Sequence, residues 1–226
     1  MASFVCPACG AKIPEGAAAC PDCGSAAPLP PAVGEEVSHR IGDRVTFGTW
    51  GGEPLVWRIL DLDDNRAFLV TEHVIDRVPY HKQHAAVTWE QSTLRTWCNT
   101  TFLRGAFTSQ EQRRILETLV TNGDSSEYDT SGGNDTKDRV FCLSVYEAGR
   151  FFLGEADRRA KPTPLAQRNG AVTNEEGFAD WWLRTPGHTP SYAAHVYGNG
   201  YIYSYGYSVT RDRDGVRPAL WVTLDQ

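Results

Sequence analysis

Apolar and polar residues alternate in three short segments near the start of the longer part of the chain. Residues 42–48 alternate, residues 54–62 carry Val56, Trp57, Ile59 and Leu60, and residues 67–71 read Ala-Phe-Leu-Val-Thr. Turn residues separate them, two glycines at 51–52 and Asp-Asp-Asn at 63–65. A period of two bounded by turn residues predicts a meander of three strands.

Three helices are predicted to follow the meander. Each starts at a capping box, a Ser or Thr followed three residues later by Glu or Gln. The boxes are Thr88 with Gln91, Thr108 with Glu111 and Ser144 with Glu147. Their apolar faces are Leu94, Trp97, Cys98 and Phe102 in the first, Ile115, Leu116 and Leu119 in the second, and Ala148, Phe151 and Phe152 in the third. This order of strands and helices, closed by further strands, predicts an α+β domain of antiparallel sheets with two to three helices and long loops.

Two apolar segments, each containing one arginine, frame the last part of the chain. Residues 181–187 contain Arg184 and residues 215–221 contain Arg217, and both segments have the composition of buried strands. A buried arginine usually pairs with an internal acid, so we expect structural roles for both; a ligand carboxylate is the alternative partner.

The segment between these frames is rich in Tyr, Ser, Gly and Asn, as binding loops are, because Tyr offers rigid contact area at little entropic cost. If residues 200–209 are an extended strand, their four tyrosines share one face. They form either a contact surface or cross-strand packing in a hairpin that turns at residues 198–200 or near Gly206. The candidate ligand-binding residues are Tyr192, His195, Tyr197, Asn199, Tyr201, Tyr203, Tyr205, Tyr207, Arg211 and Arg213.

Four cysteines near the N-terminus have the spacing of a metal site. Cys6 and Cys9, like Cys20 and Cys23, form a C-x-x-C pair followed by glycine. Four thiolates suit tetrahedral, structural zinc, so residues 1–24 are predicted to form a zinc ribbon. Residues 25–36 are rich in Ala and Pro and predict an extended linker to a main domain at residues 37–226.

The composition and net charge indicate which classes of partner are not expected. The 226 residues are 41% hydrophobic and 22% charged, with a formal net charge of -6, so neither nucleic acid nor a membrane is expected as a partner. No signal peptide is visible, and the cysteine pattern fits a reducing compartment, so we expect a cytoplasmic protein. The polar loop at residues 122–138 lacks EF-hand spacing, so calcium is not expected.

Several motifs resemble, in their order, those of an uncharacterised bacterial domain family that is similar to the C-type-lectin-like fold, in the branch that also holds the formylglycine-generating enzymes. The motifs are Trp57-Arg58-Ile59-Leu60-Asp61, Thr88-Trp89-Glu90, Leu94-Arg95-Thr96-Trp97, Trp181-Trp182-Leu183-Arg184 and Gly215-Val216-Arg217-Pro218-Ala219-Leu220. The resemblance covers residues 37–226 and implies that the first and last strands pair and that ligands bind at a loop-rich face. Variable proteins of diversity-generating retroelements share this fold, and their randomised segments favour the residue types found at 192–214.

The resemblance does not extend to the known chemistry of these families. The Glu-Pro-Asn, Gln-Pro-Asp and Trp-Asn-Asp motifs of calcium-dependent sugar binding are missing from the sequence. Formylglycine-generating enzymes need a cysteine pair at a copper site, whereas Cys98 and Cys142 occupy positions typical of small apolar core residues. The scattered histidines have no carboxylate at a telling spacing.

We therefore expect a non-catalytic module that binds a protein, a glycan or a small molecule at its Tyr-rich C-terminal surface. The alternative is an oxidase or modifying enzyme of the formylglycine-generating kind. The sequence specifies neither the ligand nor the oligomeric state.

Overall fold

The computed structural model describes residues 3–5, 12–14, 19–25 and 39–224. The chain divides into two units, Met1–His39 and Arg40–Gln226. In the first, strand β1 (Ser3–Val5) pairs antiparallel with β2 (Lys12–Pro14). Cys6, Cys9 and residues 26–36 of the predicted linker lie outside the described residues.

The second unit mixes strands with short helices, so its class is α+β. Its strands are β3 (Arg44–Trp50), β4 (Glu53–Asp63), β5 (Arg66–Thr71), β6 (Asp76–Arg77), β7 (Thr118–Val120), β8 (Thr136–Asp138), β9 (Phe141–Cys142), β10 (Trp181–Pro186), β11 (Tyr192–Val196), β12 (Ile202–Ser208), β13 (Gly215–Val216) and β14 (Pro218–Thr223). Its helices are α1 (Thr93–Trp97), α2 (Leu103–Ala106), α3 (Ser109–Arg114), α4 (Val145–Phe151), α5 (Glu155–Arg158) and α6 (Pro164–Arg168), with a 3-10 turn at Trp89–Gln91 and a π turn at Cys98–Phe102. Within the described ranges, none of the helices has the length and apolar composition needed to cross a bilayer.

Two five-stranded sheets organise this unit. The first has the order β3-β4-β5-β14-β9 and is antiparallel throughout. The second has the order β12-β11-β10-β13-β6 and contains a parallel pair, β10 with β13. The predicted meander is confirmed as β3, β4 and β5.

The expected pairing of the first strand with the last is wrong. β14 lies between β5 and β9, whereas β3 pairs only with β4 among the described strands. The reason is the burial of β5, where residues 67–70 are all at most 3% exposed. A strand buried on both faces needs a neighbour on both edges, and β14 supplies the second one.

The first helix starts later than its predicted capping box. The Thr88 side chain makes no capping hydrogen bond, and Ser92 caps α1 instead by accepting from the Arg95 backbone N–H at 3.0 Å. A tertiary contact sets this start, because the buried Trp89 indole donates to Asp138 Oδ2 at 2.9 Å and holds the preceding turn.

The capping boxes of α3 and α4 are both confirmed. The predicted apolar face of the second helix is wrong, however, since α3 ends at Arg114. Ile115 bridges to Val222, the Leu116 backbone N–H donates to Trp221 O at 2.9 Å, and Leu119 is 65% exposed in β7. Pairing with β14 satisfies this backbone in place of another helical turn.

Arg184 forms the internal ion pair expected of it. Its guanidinium, 4% exposed, binds both carboxylate oxygens of Glu147, with Nη2 at 2.9 Å from Oε1. It also donates to Cys142 O at 2.9 Å and Thr121 O at 3.0 Å. Glu147 also closes the capping box of α4. One carboxylate therefore both caps the start of the helix and neutralises the buried Arg184 charge.

Arg217 differs from expectation, because it forms no ion pair with any described acid. Fully buried, it donates to Thr71 O at 2.7 Å and Arg158 O at 3.1 Å. Its guanidinium lies 5.0 Å from the Phe152 ring and 5.1 Å from the Trp181 ring. Burial, followed by repulsion from Arg58, lowers its pKa to about 9, so it stays charged at neutral pH.

Glu147→Ala should destabilise the protein by about 3–5 kcal/mol, because it leaves the buried Arg184 charge without a partner. The matched control is Glu111→Ala, which removes the same capping-box position of α3, where no buried arginine pairs with the glutamate. A cost of about 1 kcal/mol is expected there. Urea unfolding measures both, and equal losses would show that Arg184 does not depend on Glu147.

Candidate functional site

The tyrosine-rich segment folds as a hairpin at the edge of the second sheet. β11 pairs antiparallel with β12. The chain turns at residues 198–200, which is one of the two turn positions named for the hairpin interpretation. The turn is held by the Tyr201 backbone N–H, which donates to Asn199 Oδ1 at 3.0 Å.

A bulge interrupts the regular alternation of β12. The register shifts between Ala193 and His195, opposite Gly206, whose φ is +74°. A side chain at Gly206 would also collide with the Ala193 carbonyl. Glycine is therefore favoured at this position both by the positive φ and by the lack of space. The four tyrosines therefore do not share one evenly exposed face: Tyr201 is 49% and Tyr205 41% exposed, whereas Tyr203 and Tyr207 are half-buried.

The outer rings form what we call the aromatic patch, which consists of Tyr128, His188, Tyr192 and Tyr205. His188 stacks on Tyr205 with 3.6 Å between ring centroids, and Tyr128 stands perpendicular to Tyr205 at 5.7 Å. Tyr192 contacts His188 edge-on at 4.5 Å. Tyr128 and Tyr205 remain 37% and 41% exposed, so the patch presents fixed rings to solvent.

Sequence reasoning missed two members of the patch. Tyr128 lies in the polar loop at 122–138, and His188 lies in the connection before β11. Lone aromatic residues among turn residues give no periodic signal, and only the fold brings them to Tyr205. The signal that could have identified them is that aromatic side chains are uncommon in polar loops.

The inner rings, Tyr197, Tyr203 and Tyr207, form a second set that we call the tyrosine layer. The Tyr197 and Tyr207 hydroxyls lie 3.1 Å apart, and Tyr203 has ring centroids 5.2 Å from Tyr197 and 5.5 Å from Tyr207. Desolvation, and then the hydrogen bond with Tyr207, raise the pKa of Tyr197 well above its usual range. The three rings cover one residue beneath them.

That residue is His195, which was predicted to contact a ligand but is fully buried. Its Nδ1 lies 2.8 Å from Asp214 Oδ2, and Asp214 is also fully buried. The rings of Tyr197 and Tyr207 pack on the imidazole at 4.5 and 5.1 Å. The prediction for His195 is therefore corrected: it supports the tyrosine layer from inside and does not reach the surface.

Arg211 also belongs to this buried network. Its guanidinium lies 2.9 Å from Asp180 Oδ2 and 3.1 Å from Asp214 Oδ1, and it stacks 3.9 Å above the Tyr207 ring. The Gly198 backbone N–H donates to Asp180 Oδ1 at 2.8 Å. Burial raises the pKa of Asp180, against the opposing effect of that hydrogen bond. Of the two arginines predicted to bind a ligand, Arg213 is exposed, and in the described part of the chain it makes no ring contact with the tyrosines.

The sheet register brings the two aspartates together. Asp180 directly precedes β10 and Asp214 directly precedes β13, and Trp181 pairs in parallel with Gly215. Ligand atoms of Asp180, His195 and Asp214 lie within 4.8 Å of one another, close enough to hold a metal ion. Arg211 places one positive charge against both carboxylates, which offsets part of their negative charge without a metal.

A groove of about 1130 Å³ lies beside the hairpin. Its lining includes the aromatic side chains of Phe151 and Trp221 and the polar loop at residues 121–126. Ser204 of β12 lines the groove, and its hydroxyl donates to Glu127 Oε2 at 2.7 Å. The groove and the aromatic patch therefore adjoin through β12 and the loop that carries Tyr128.

Cys98 and Cys142 lie in the core, as predicted, and both are fully buried. Desolvation, and then a hydrogen bond with Cys142, raise the pKa of the Cys98 thiol well above its usual range. A thiol without thiolate character is a poor nucleophile and a poor metal ligand.

A family model described as Domain of unknown function (DUF6273) matches residues 64–224, from the turn before β5 to the end of the described chain. The chain matches no curated protein and no solved structure.

Iodoacetamide should leave Cys98 and Cys142 unmodified in the native protein and modify both in concentrated guanidinium chloride, because burial blocks access to both thiols and raises the pKa of Cys98. Mass mapping of peptides measures this. Tyr146→Cys, at a position that is 71% exposed, is the control that should label at once. Rapid native labelling of Cys98 or Cys142 would contradict the core assignment.

Proposed function

We propose that this chain, which belongs to the Domain of unknown function (DUF6273) family, is a non-catalytic binding module that recognises its ligand through the aromatic patch. One observation carries the proposal. Tyr128 and Tyr205, from elements far apart in sequence, meet at the surface and stay more than a third exposed. Folding brings the rings together without burying them.

The rigidity of the patch supports a binding role. Tyr205 is stacked on His188, and the strand that carries it is anchored from below by the tyrosine layer and His195. Side chains already fixed in one conformation lose little entropy on binding. Tyrosine is also enriched among the residues that contribute most to binding interfaces.

The first unit supports the proposal of a structural zinc ribbon on Cys6, Cys9, Cys20 and Cys23. Around the second pair the chain turns tightly: the Gly24 backbone N–H donates to Cys20 O at 2.9 Å, and the φ of Gly24 is +72°. A turn of this kind directs two thiolates toward one ion. Cys6 and Cys9 lie outside the described residues.

The C-type-lectin-like fold also remains a proposal for residues 37–226. A loop-rich face that carries the candidate site is in its favour. The position of β14 next to β5 and β9, away from β3, counts against it. Differences confined to residues 192–214 among close relatives would support the likeness to variable proteins of diversity-generating retroelements.

The oxidase alternative finds less support. It requires accessible cysteines, and Cys98 and Cys142 are both fully buried. A low reactivity of these thiols in the native protein would remove it.

The double variant Tyr128→Ser/Tyr205→Ser should lose at least about tenfold in affinity for whichever glycans or peptides the wild-type protein retains on arrays, because two anchor rings are removed. Its unfolding free energy should change little, since both rings are exposed at the surface. Tyr146→Ser is the matched control, an exposed tyrosine on α4 without ring contact to the patch among described residues. Unchanged binding by the double variant would place the site elsewhere.

The purified full-length chain should hold one zinc ion, and Cys20→Ser should lose it, because three thiolates leave the tetrahedral site incomplete. Plasma mass spectrometry of the metal content measures both. Cys98→Ser should keep the metal. Equal zinc content in the wild type and Cys20→Ser would contradict the ribbon.

A further inference from the structure

Arg211, which follows β12 in the chain, shows how a guanidinium is held beside the hairpin. Arg211 lies 3.9 Å above the ring of Tyr207, on β12, and binds Asp180 and Asp214 at 2.9 and 3.1 Å. The guanidinium thus has an aromatic face on one side and carboxylates at its edge. This combination satisfies both the charge and the planar shape of arginine.

The aromatic patch offers the same combination two residues earlier on the same strand. Tyr205 is 41% exposed, with His188 stacked on one face of its ring at 3.6 Å and Tyr128 perpendicular to it at 5.7 Å. Glu127 contacts β12 through a hydrogen bond, in which the Ser204 hydroxyl donates to Glu127 Oε2 at 2.7 Å. Glu127 also forms a side-chain hydrogen bond with Tyr128, and neither of these hydroxyl partners neutralises its charge.

The charge near Tyr128 is not neutralised within the described part of the chain. Glu127 and Asp129, on either side of Tyr128, are both exposed, and no described lysine or arginine forms an ion pair with either of them. The patch itself contains no lysine or arginine, and the chain carries a net charge of -6. The surface therefore combines exposed rings with unneutralised negative charge.

We propose that the aromatic patch, with Glu127, receives an arginine side chain of a partner protein. This inference rests on the proposed function and names the chemistry of its ligand. The guanidinium stacks on Tyr205 against Tyr128 and donates to Glu127, as Arg211 does with Tyr207 and its two aspartates. A protein segment suits the open surface of the patch, whereas a small molecule needs a concave pocket to bury most of its area.

Fluorescence anisotropy with three labelled peptides tests this inference. The peptides have one Gly/Ser sequence in which two positions are arginine, lysine or citrulline, the last being the uncharged isostere of arginine. The full-length protein should bind the arginine peptide about tenfold more tightly than the citrulline peptide, with the lysine peptide between them. Equal affinity for arginine and citrulline overturns the inference.

Matched variants separate this inference from the proposed function. Glu127→Gln should weaken the arginine peptide by about five- to tenfold and leave the citrulline peptide unchanged, because only the charge is removed. Glu53→Gln, at an exposed position on β4, should change neither. Loss of array ligands in Tyr128→Ser/Tyr205→Ser, together with no effect of Glu127→Gln on the arginine peptide, overturns the arginine assignment and leaves the binding module intact. No effect of the tyrosine substitutions on any ligand overturns both.

Discussion

The passage of the C-terminal segment from one sheet to the other is the constraint on which the second unit depends. β13 completes the second sheet, β14 completes the first, and Arg217 alone separates them. Its guanidinium can lie flat against Phe152 and Trp181 while it donates to two carbonyls. A compact ammonium offers no such face, so arginine suits this crossing better than lysine.

The same crossing between the sheets also positions the buried charged residues beneath the tyrosine layer. The parallel pairing of β13 with β10 places Asp214 beside Asp180, and these carboxylates hold Arg211 and His195. A buried network of this kind adds little net stability, because desolvation offsets much of the attraction between charges. Its effect is geometric: it fixes one arrangement of the tyrosine layer and of β12, the strand that carries Tyr205 of the aromatic patch.

The tyrosines of the hairpin therefore divide into two roles. Tyr197, Tyr203 and Tyr207 pack over His195 and belong to the structure, whereas Tyr201 and Tyr205 are exposed. The hairpin-packing interpretation describes Tyr203 and Tyr207, whereas the contact-surface interpretation stays a prediction for Tyr201 and Tyr205. The bulge at Gly206 makes this division, because it breaks the alternation that would have given all four rings one environment.

The sequence by itself determined the local features whose cause is local. The meander, the capping boxes of α3 and α4 and the core positions of Cys98 and Cys142 follow from periodicity and turn chemistry within a few residues. The hairpin turn was left open between residues 198–200 and Gly206, and strand pairing places it at 198–200. Tertiary structure decided the end of α3 at Arg114, the burial of His195, the partners of Arg217 and the meeting of Tyr128 with Tyr205. Each depends on strand pairing or packing between segments that are distant in the chain. The hydrophobic pattern indicates which face of a strand is buried, but it does not indicate which strands become neighbours.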